Sequence, residues 1–544
     1  MTIRKLTGWF TIFAVVVLLP TATIAQTPRL VEAAEDAMLR SSKYMVDKVS
    51  TNGGYVWFYM PDLSRRWGEM EAYKTMVWLQ GPGTVSMGHT FLDAYQATGD
   101  EYYYQAAAKA TAAIVWGQSK EGGWNYMIDF AGDRSLKQWY NTIGKNGWRL
   151  EEFQHYYGNA TFDDDITSDA ARFLLRMYLT KMAPEYKPAL DKAISFILES
   201  QYPLGGWPQR YPLKYDFNKN GLPDYSSFFT FNDDVIWENI NFLIQCYLTL
   251  GEERFLEPIK RGMNFYLISQ HGSGGWAQQY NMNLEPAGAR TYEPAMLLPT
   301  TTYGNVMLLL RFYEYTGESK YLTRIPDAIE WLEKTRLPKK MTDNNQYTHP
   351  TFVEIDTNKP VFVHRKGSNV KYGYYYYDYD DKNLLSHYRG KKTLDLDRLK
   401  AEYKRLKALP PEEATKNSPL KVAAFTESGT PQTFYSLNRY SSSQLPTEGQ
   451  VSELISTLDD QNRWLVKHAS ISHPYTGEGR KQNPTDQYHD AFVGDETDTS
   501  PFRDPSDQLY ISTQAFIKNI NQLINYVKFN KGYSKTEDRL KAGR

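Results

Sequence analysis

The sequence predicts a mainly α protein: an α/α-barrel, or toroid, of repeated helical hairpins with a mixed, partly irregular C-terminal extension. Three observations lead there. A Gly-Gly-aromatic tripeptide recurs at Gly53-Gly54-Tyr55, Gly122-Gly123-Trp124, Gly205-Gly206-Trp207 and Gly274-Gly275-Trp276, about seventy to eighty residues apart. The last three each follow a glutamine (Gln118, Gln201, Gln270) that closes an amphipathic segment of helical period, as in Pro188–Gln201 and Phe255–Gln270. A second, more apolar helical segment follows each glycine pair. A lone helical pair cannot bury both its faces, so consecutive hairpins must pack side by side. The apolar second helices, for example around Val306–Phe312, suit an inner layer and favour a toroid over an open solenoid.

Taken in order, residues 1–25 read as a cleavable signal peptide. Arg4 and Lys5 precede an apolar run from Trp9 to Leu19, and Thr23 and Ala25 are small residues at the cleavage positions. The expected address is periplasmic or secreted. Residues 26–340 form the expected catalytic toroid, with inner helices over Gly83–Thr98, Asp165–Met182, Asp233–Leu250 and Thr301–Thr316. Three of these end on turns at Thr98-Gly99-Asp100, Gly251-Glu252-Glu253 and Thr316-Gly317-Glu318. Residues 341–410 read as a barrel-closing segment. It has strand-like alternation in Thr351–Ile355 and Pro360–His364, a Tyr-rich run Tyr372–Tyr379, and a charged helix over 392–408. Residues 411–544 are an extension of unassigned role, helical over Val451–Ala469 and Ser512–Phe529, whose last helix is expected to dock on the toroid.

Composition narrows the chemistry. Lys and Arg total 62 against 63 Asp and Glu, a net charge of -1, so no basic excess exists to hold a nucleic-acid backbone. No segment after the first 25 residues is long and apolar enough to span a bilayer, so membrane insertion is not expected. The single cysteine, Cys246, excludes a disulfide framework within one chain. Aromatic residues (13 Trp, 42 Tyr, 25 Phe) make up 15% of the chain, which serves core packing and sugar stacking equally. Gly-Gly-Trp is read first as a turn with a core anchor; Trp207 and Trp276 are also candidates for sugar-facing rings.

Two acidic clusters, Asp163-Asp164-Asp165 and Asn232-Asp233-Asp234, each immediately precede an inner helix, one repeat apart. Both should therefore sit at the same mouth. One Asp in each can cap the helix. Capping does not need two or three carboxylates in a row, and a shared calcium site would use the rest. Arg290, flanked by small residues in Pro286-Ala287-Gly288-Ala289-Arg290, suits a guanidinium aimed into a cavity, or one paired with Glu293.

The stretches Thr161–Thr167 (TFDDDIT), Thr230–Val235 (TFNDDV) and Pro286–Glu293 (PAGARTYE), with Gly205–Pro212 (GGWPQRYP) between the first two, resemble the pectate lyases of polysaccharide lyase family 10. The resemblance covers roughly residues 150–370 and implies an α/α-barrel enzyme that cleaves polygalacturonate by calcium-dependent β-elimination. It implies that Asp163 and Asp233 help to hold the metal and that Arg290 is the base. By the same resemblance Arg365 is a candidate for binding the substrate carboxylate; Asp164, Asn232, Trp207, Gln209, Arg210 and Trp276 are further candidates for substrate binding. The chain departs from the family pattern at Asp163-Asp164-Asp165, where an Asp-Asn pair is usual, at Ala277 and in Pro294–Thr302. Other chemistries fit the same residues. They are a metal-independent glycoside hydrolase with Asp164 and Asp233 as acid and base, a lyase with His155, His271 or Tyr292 as base, and a pectin-binding homologue without catalysis.

Overall fold

The computed structural model describes residues 23–531, except 148–150, 215–223, 367–373, 386–389, 422–436, 443, 468, 470–498 and 500–507. Most of the expected signal peptide, the start of the Tyr-rich run and most of the polar stretch after 421 lie outside the described residues. The chain is an α/α-toroid. Helix α1 (Thr23–Tyr44) precedes a hairpin of α2 (Thr84–Thr98) and α3 (Glu101–Trp116), and a short α4 (Asp133–Thr142) is interposed. The next pairs are α5 (Ile166–Lys181) with α6 (Lys187–Glu199), and α7 (Val235–Leu250) with α8 (Leu256–Ile268). Then come α9 (Pro299–Thr316), α10 (Lys320–Thr323) and α11 (Ile325–Lys334), with α10 and α11 packed on α9. Helices α2, α5 and α7 touch in succession and form the inner layer, and one continuous apolar core runs between the layers.

The helix ends follow from local sequence. Helices α2, α7 and α9 stop at Gly99, Gly251 and Gly317, whose φ values of 75°, 73° and 72° are left-handed, and each glycine N–H bonds the carbonyl four residues back. These are the three turns expected from the sequence. The inner helices are less uniformly apolar than their patterns suggest. Arg172 and Arg176 of α5 are buried and face charged partners: Arg172 pairs with Asp169 and Glu238, and Arg176 with Asp93.

The Gln–Gly-Gly–Trp repeat locks each hairpin to the next. Gln118, Gln201 and Gln270 donate from Nε2 to the carbonyls of Gly122, Gly205 and Gly274 at 2.8–2.9 Å. The same amides reach the carbonyls of Ala189, Pro258 and Arg324 near the start of the following outer helix. At Gly205 φ is 106°, and a Cβ there would stand 2.1 Å from the Arg261 carbonyl oxygen, so only glycine fits.

Past α11, strands Phe352–Val353, Pro360–Lys366 and Tyr374–Asp378 form an antiparallel sheet, as the alternation predicts. A second apolar cluster (Tyr292, Met296, Leu298, Phe352, Val361, Val363, Leu385) packs beneath it. Helices α12 (Leu396–Lys407) and α13 (Pro411–Ala414) pack on α9. The helix expected over Val451–Ala469 is shorter, α14 (Glu448–Ser456). It stops because Asp459 folds a turn by accepting from the N–H groups of Gln461 and Arg463. The chain then forms strand Leu465–Val466, which pairs with Tyr510–Ser512, itself paired to Phe58–Tyr59. The last helix, α15 (Thr513–Asn530), packs against α1 and α2.

Candidate active site

Each inner-helix loop hangs from the glycine-tryptophan loops on either side of it. The Trp124 carbonyl accepts from Thr161 N, the Trp207 carbonyl from Thr230 N and the Trp276 carbonyl from Leu298 N, at 2.8–3.1 Å. Two residues further on, the Gln209 carbonyl accepts from Phe162 N and the Gln278 carbonyl from Phe231 N, both at 2.8 Å. Two-residue ladders, Ala160–Thr161 with Arg210–Tyr211 and Phe229–Thr230 with Gln279–Tyr280, complete the rim. The acidic clusters that follow Thr161 and Thr230 are thereby held at one mouth.

The two clusters are the same turn in successive repeats. Asp164 and Asp165 have φ of 49° and 60°; Asp233 and Asp234 have 49° and 55°. The repeat register therefore aligns Asp163 with Asn232 and Asp164 with Asp233. Successive left-handed residues other than glycine cost roughly 1–3 kcal/mol each, so they persist only where their surroundings hold them. Gln80 Nε2 donates to Asp164 Oδ2 at 2.9 Å, and Asn232 Nδ2 donates to Asp233 Oδ2 at 2.7 Å.

Arg290 enters this mouth from the loop after the fourth Gly-Gly-aromatic tripeptide. Its side chain is 5% exposed. Its Nη2 donates to Asp163 Oδ2 at 2.9 Å across 127 residues of chain, and stands 3.7 Å from Asp233 Oδ2. Its Nε faces Glu152 at 3.5 Å and Glu293 at 3.6 Å, so the paired arrangement with Glu293 exists as well. The loop itself is fixed by Glu293, which accepts from the Arg290 N–H at 2.9 Å, and by Glu151, which accepts from the Thr291 N–H and hydroxyl. Tyr126 donates its hydroxyl to Asp163 Oδ2.

The carboxyl groups are driven apart in their titration. Burial opposes the charge on Asp163, yet Arg290 and the hydrogen bonds from Asp233 and Tyr126 hold it below the usual carboxylate range. Burial, then the charge of Asp163, pushes both Asp164 and Asp233 well above it. Burial raises Glu152 to about 7 against the pull of Arg290.

Asp163 and Asp233 are the residues here that could hold a cation, at the place the Arg290 guanidinium now faces. Asp163 Oδ1 is buried with no hydrogen-bond donor among the described residues. Asp233, 29% exposed in its side chain, stands beside it toward the opening. No three His, Cys, Asp or Glu side chains converge as a closed metal cage among the described residues. What Asp163 and Asp233 offer is an open, two-carboxylate oxygen site, the donor chemistry calcium takes.

The remaining sequence candidates divide. Asp163, Asp164, Asn232, Asp233 and Arg290 come together at the mouth. Arg210 is buried one layer behind, its guanidinium 4.5 Å from the Tyr157 ring and 5.7 Å from that of Tyr126, the tyrosine bonded to Asp163. Gln209 is buried, and its backbone carbonyl supports the loop as described. Arg365 is buried against Tyr375, whose ring also packs on Tyr292, and it lines a small cavity with His364, Tyr376 and Asp378. Trp207 and Trp276 do not face a sugar. Both are fully buried and donate Nε1 to the Ile197 and Tyr266 carbonyls of the preceding outer helices. The loop needs their backbone carbonyls at the rim, and this turns the rings inward. Tyr280 and Tyr292 are buried too. The sequence reading missed Tyr126, Glu152 and Gln80. Tyr126 was recoverable from the repeat, because it occupies the position of Gln209 and Gln278.

The sequence profile of the pectic acid lyase family matches residues 129–407. No curated protein matches the chain. Among solved structures, a family 10 polysaccharide lyase from Cellvibrio cellulosa is 18% identical, covering 59% of this chain and 98% of its own, with a TM-score of 0.37. A mutant of a family 10 polysaccharide lyase from the same organism, in complex with trigalacturonic acid, is 17% identical over 59% of this chain and 96% of its own, with a TM-score of 0.35. A D-mannose isomerase is 12% identical over 92% of this chain and 99% of its own, with a TM-score of 0.37.

Proposed function

The chain belongs to the pectic acid lyase family, a pectate lyase-like group of polysaccharide lyases, and on that premise we propose that it cleaves polygalacturonate or a related uronate polymer by calcium-assisted β-elimination, with Arg290 as base. One observation carries the proposal. A buried arginine meets two carboxylates, Asp163 and Asp233, supplied by equivalent turns of successive repeats.

In a uronate unit the proton to be removed lies on C5, beside the carboxylate, and is only weakly acidic. Asp163 and Asp233 would hold calcium, with Asp164 beside them. The chemistry calcium would supply there is neutralisation of the substrate carboxylate, which would acidify the neighbouring C–H. Arg290 then takes the C5 proton on its guanidine, the C4–C5 double bond forms, and the C4–O bond breaks. The leaving oxygen is protonated by water. Arginine is a poor base while charged, and in the resting site that charge is stabilised by Asp163, the carboxylate held ionised, with Glu293 beside the guanidinium. Arg290 becomes competent only when those carboxylates have other partners. Activity is thereby tied to Asp163 and Asp233 and to alkaline pH.

The test is an absorbance assay for the new double bond on polygalacturonate, with and without chelator. The expected result is chelator-sensitive absorbance that rises toward alkaline pH and is lost in Arg290→Ala, which still binds the polymer. New reducing ends without absorbance would replace the lyase by the hydrolase that uses Asp164 and Asp233. Retained turnover in Arg290→Ala would remove Arg290 from the base role.

A further inference from the structure

The C-terminal extension places a short segment, residues 437–442, against the inner helices beneath the acidic mouth, although it lies outside the family match. Leu437 and Asn438 are buried. Asn438 Nδ2 donates to Asp93 of α2 at 2.5 Å, and the Tyr440 hydroxyl donates to Asp169 of α5 at 2.5 Å. Asn521 of α15 donates to the Tyr440 carbonyl at 3.1 Å. A Cβ on Gly81, just before α2, would stand 2.5 Å from the Tyr440 hydroxyl, so the ring is fitted closely there.

Between these anchors, Arg439 points at the first acidic turn. Its Nη1 pairs with Asp165 Oδ2 and stands 3.7 Å from Asp169 and 3.9 Å from Glu238. Its charge also acts on Asp234, the equivalent of Asp165 in the second turn. Arg172 already pairs with Asp169 and Glu238 at 2.6 and 2.5 Å, which leaves Asp165 to Arg439. Asp164 and Asp165 are the two left-handed residues of their turn, and each is held by a different outside group, Gln80 for the first and Arg439 for the second.

We infer that Arg439 is a positioning residue of the lyase site: by pairing with Asp165 it keeps the Asp164–Asp165 backbone left-handed, and so sets Asp163 and Asp164 opposite Asp233. The inference rests on the acidic mouth being the lyase site. The extension is then a working part of the site and not an appendage. Arg439 acts through Asp165 and touches no reacting atom.

The test uses the full chain with Arg439→Ala and Arg439→Lys, assayed on polygalacturonate with calcium, alongside thermal unfolding and a crystal structure of Arg439→Ala. The expected result is a folded Arg439→Ala whose kcat falls about ten-fold or more with KM changed by less than about three-fold. Arg439→Lys, which can still pair with Asp165, recovers most of that loss. In the crystal structure the 163–165 turn leaves its left-handed conformation. A folded Arg439→Ala with wild-type kcat overturns the inference. So does a raised KM at unchanged kcat, which would make Arg439 a substrate contact. If Arg439→Ala does not fold, Arg439→Gln keeps an N–H donor on a shorter side chain without the charge, and gives the same readouts. If the wild-type protein forms no unsaturated product, the lyase assignment fails. The crystal structure then still decides the positioning claim, because an unmoved 163–165 turn overturns it whatever the substrate.

Discussion

Asp163 and Glu152 are both buried carboxyl groups beside the Arg290 guanidinium, yet they are driven in opposite directions. Asp163 receives hydrogen bonds as well as the arginine charge, while Glu152 receives the charge at 3.5 Å and is dominated by burial. The folded pKa of Glu152, about 7, lies above the ordinary 4.5, so its carboxyl favours the native state at low pH. That contribution is full below about 4.5 and is lost as pH rises toward 7. Glu152→Gln removes the dependence. Its stability relative to wild type should grow between pH 4.5 and 7 by up to about 3 kcal/mol and then level off, as read by thermal or urea unfolding across that range. A difference that stays constant with pH would show that Glu152 is ionised throughout. None of this was legible from residues 151–152 alone, because nothing local in their sequence says that they lie beside an arginine some 140 positions away.

Among the elements, the informative one is the Gln–Gly-Gly–Trp loop. Its spacing exposed the repeat, and the structure gives each residue a task. The glutamine ties two hairpins, the first glycine lets them approach, and the tryptophan fills the core while its carbonyl holds the next acidic loop. Trp207→Ala should therefore cost about 3–5 kcal/mol of stability by leaving a cavity. The KM for polygalacturonate should be unchanged where the protein still folds. A raised KM without loss of stability would return the ring to the cleft. The orientation was undecidable in one dimension, since a tryptophan after two glycines can turn either way. What turns it inward is the Nε1 bond to a carbonyl ten residues back, available only once the outer helix has formed.

At the scale of the whole molecule, the last described helix packs on the first. Strand Tyr510–Ser512 pairs with Phe58–Tyr59, and α15 lies along α1 and α2 with Ile520, Leu523 and Val527 buried. Ending the chain before Tyr510 should therefore leave those faces open and abolish a single cooperative thermal transition, measurable by calorimetry. A truncated chain that unfolds with the wild-type midpoint would make the last helix an independent appendage. The sequence by itself determined the hairpin repeat, the inner helices and their glycine stops, and the placing of both acidic turns on one mouth. These are local: helical period, left-handed glycine and repeat register are written in neighbouring residues. Only the tertiary structure decided which carboxylate faces Arg290, that the repeat tryptophans are core, and that the extension brings Arg439 to Asp165. Each of those depends on contacts between residues far apart in the chain, and electrostatic energy and burial are set by distance in space.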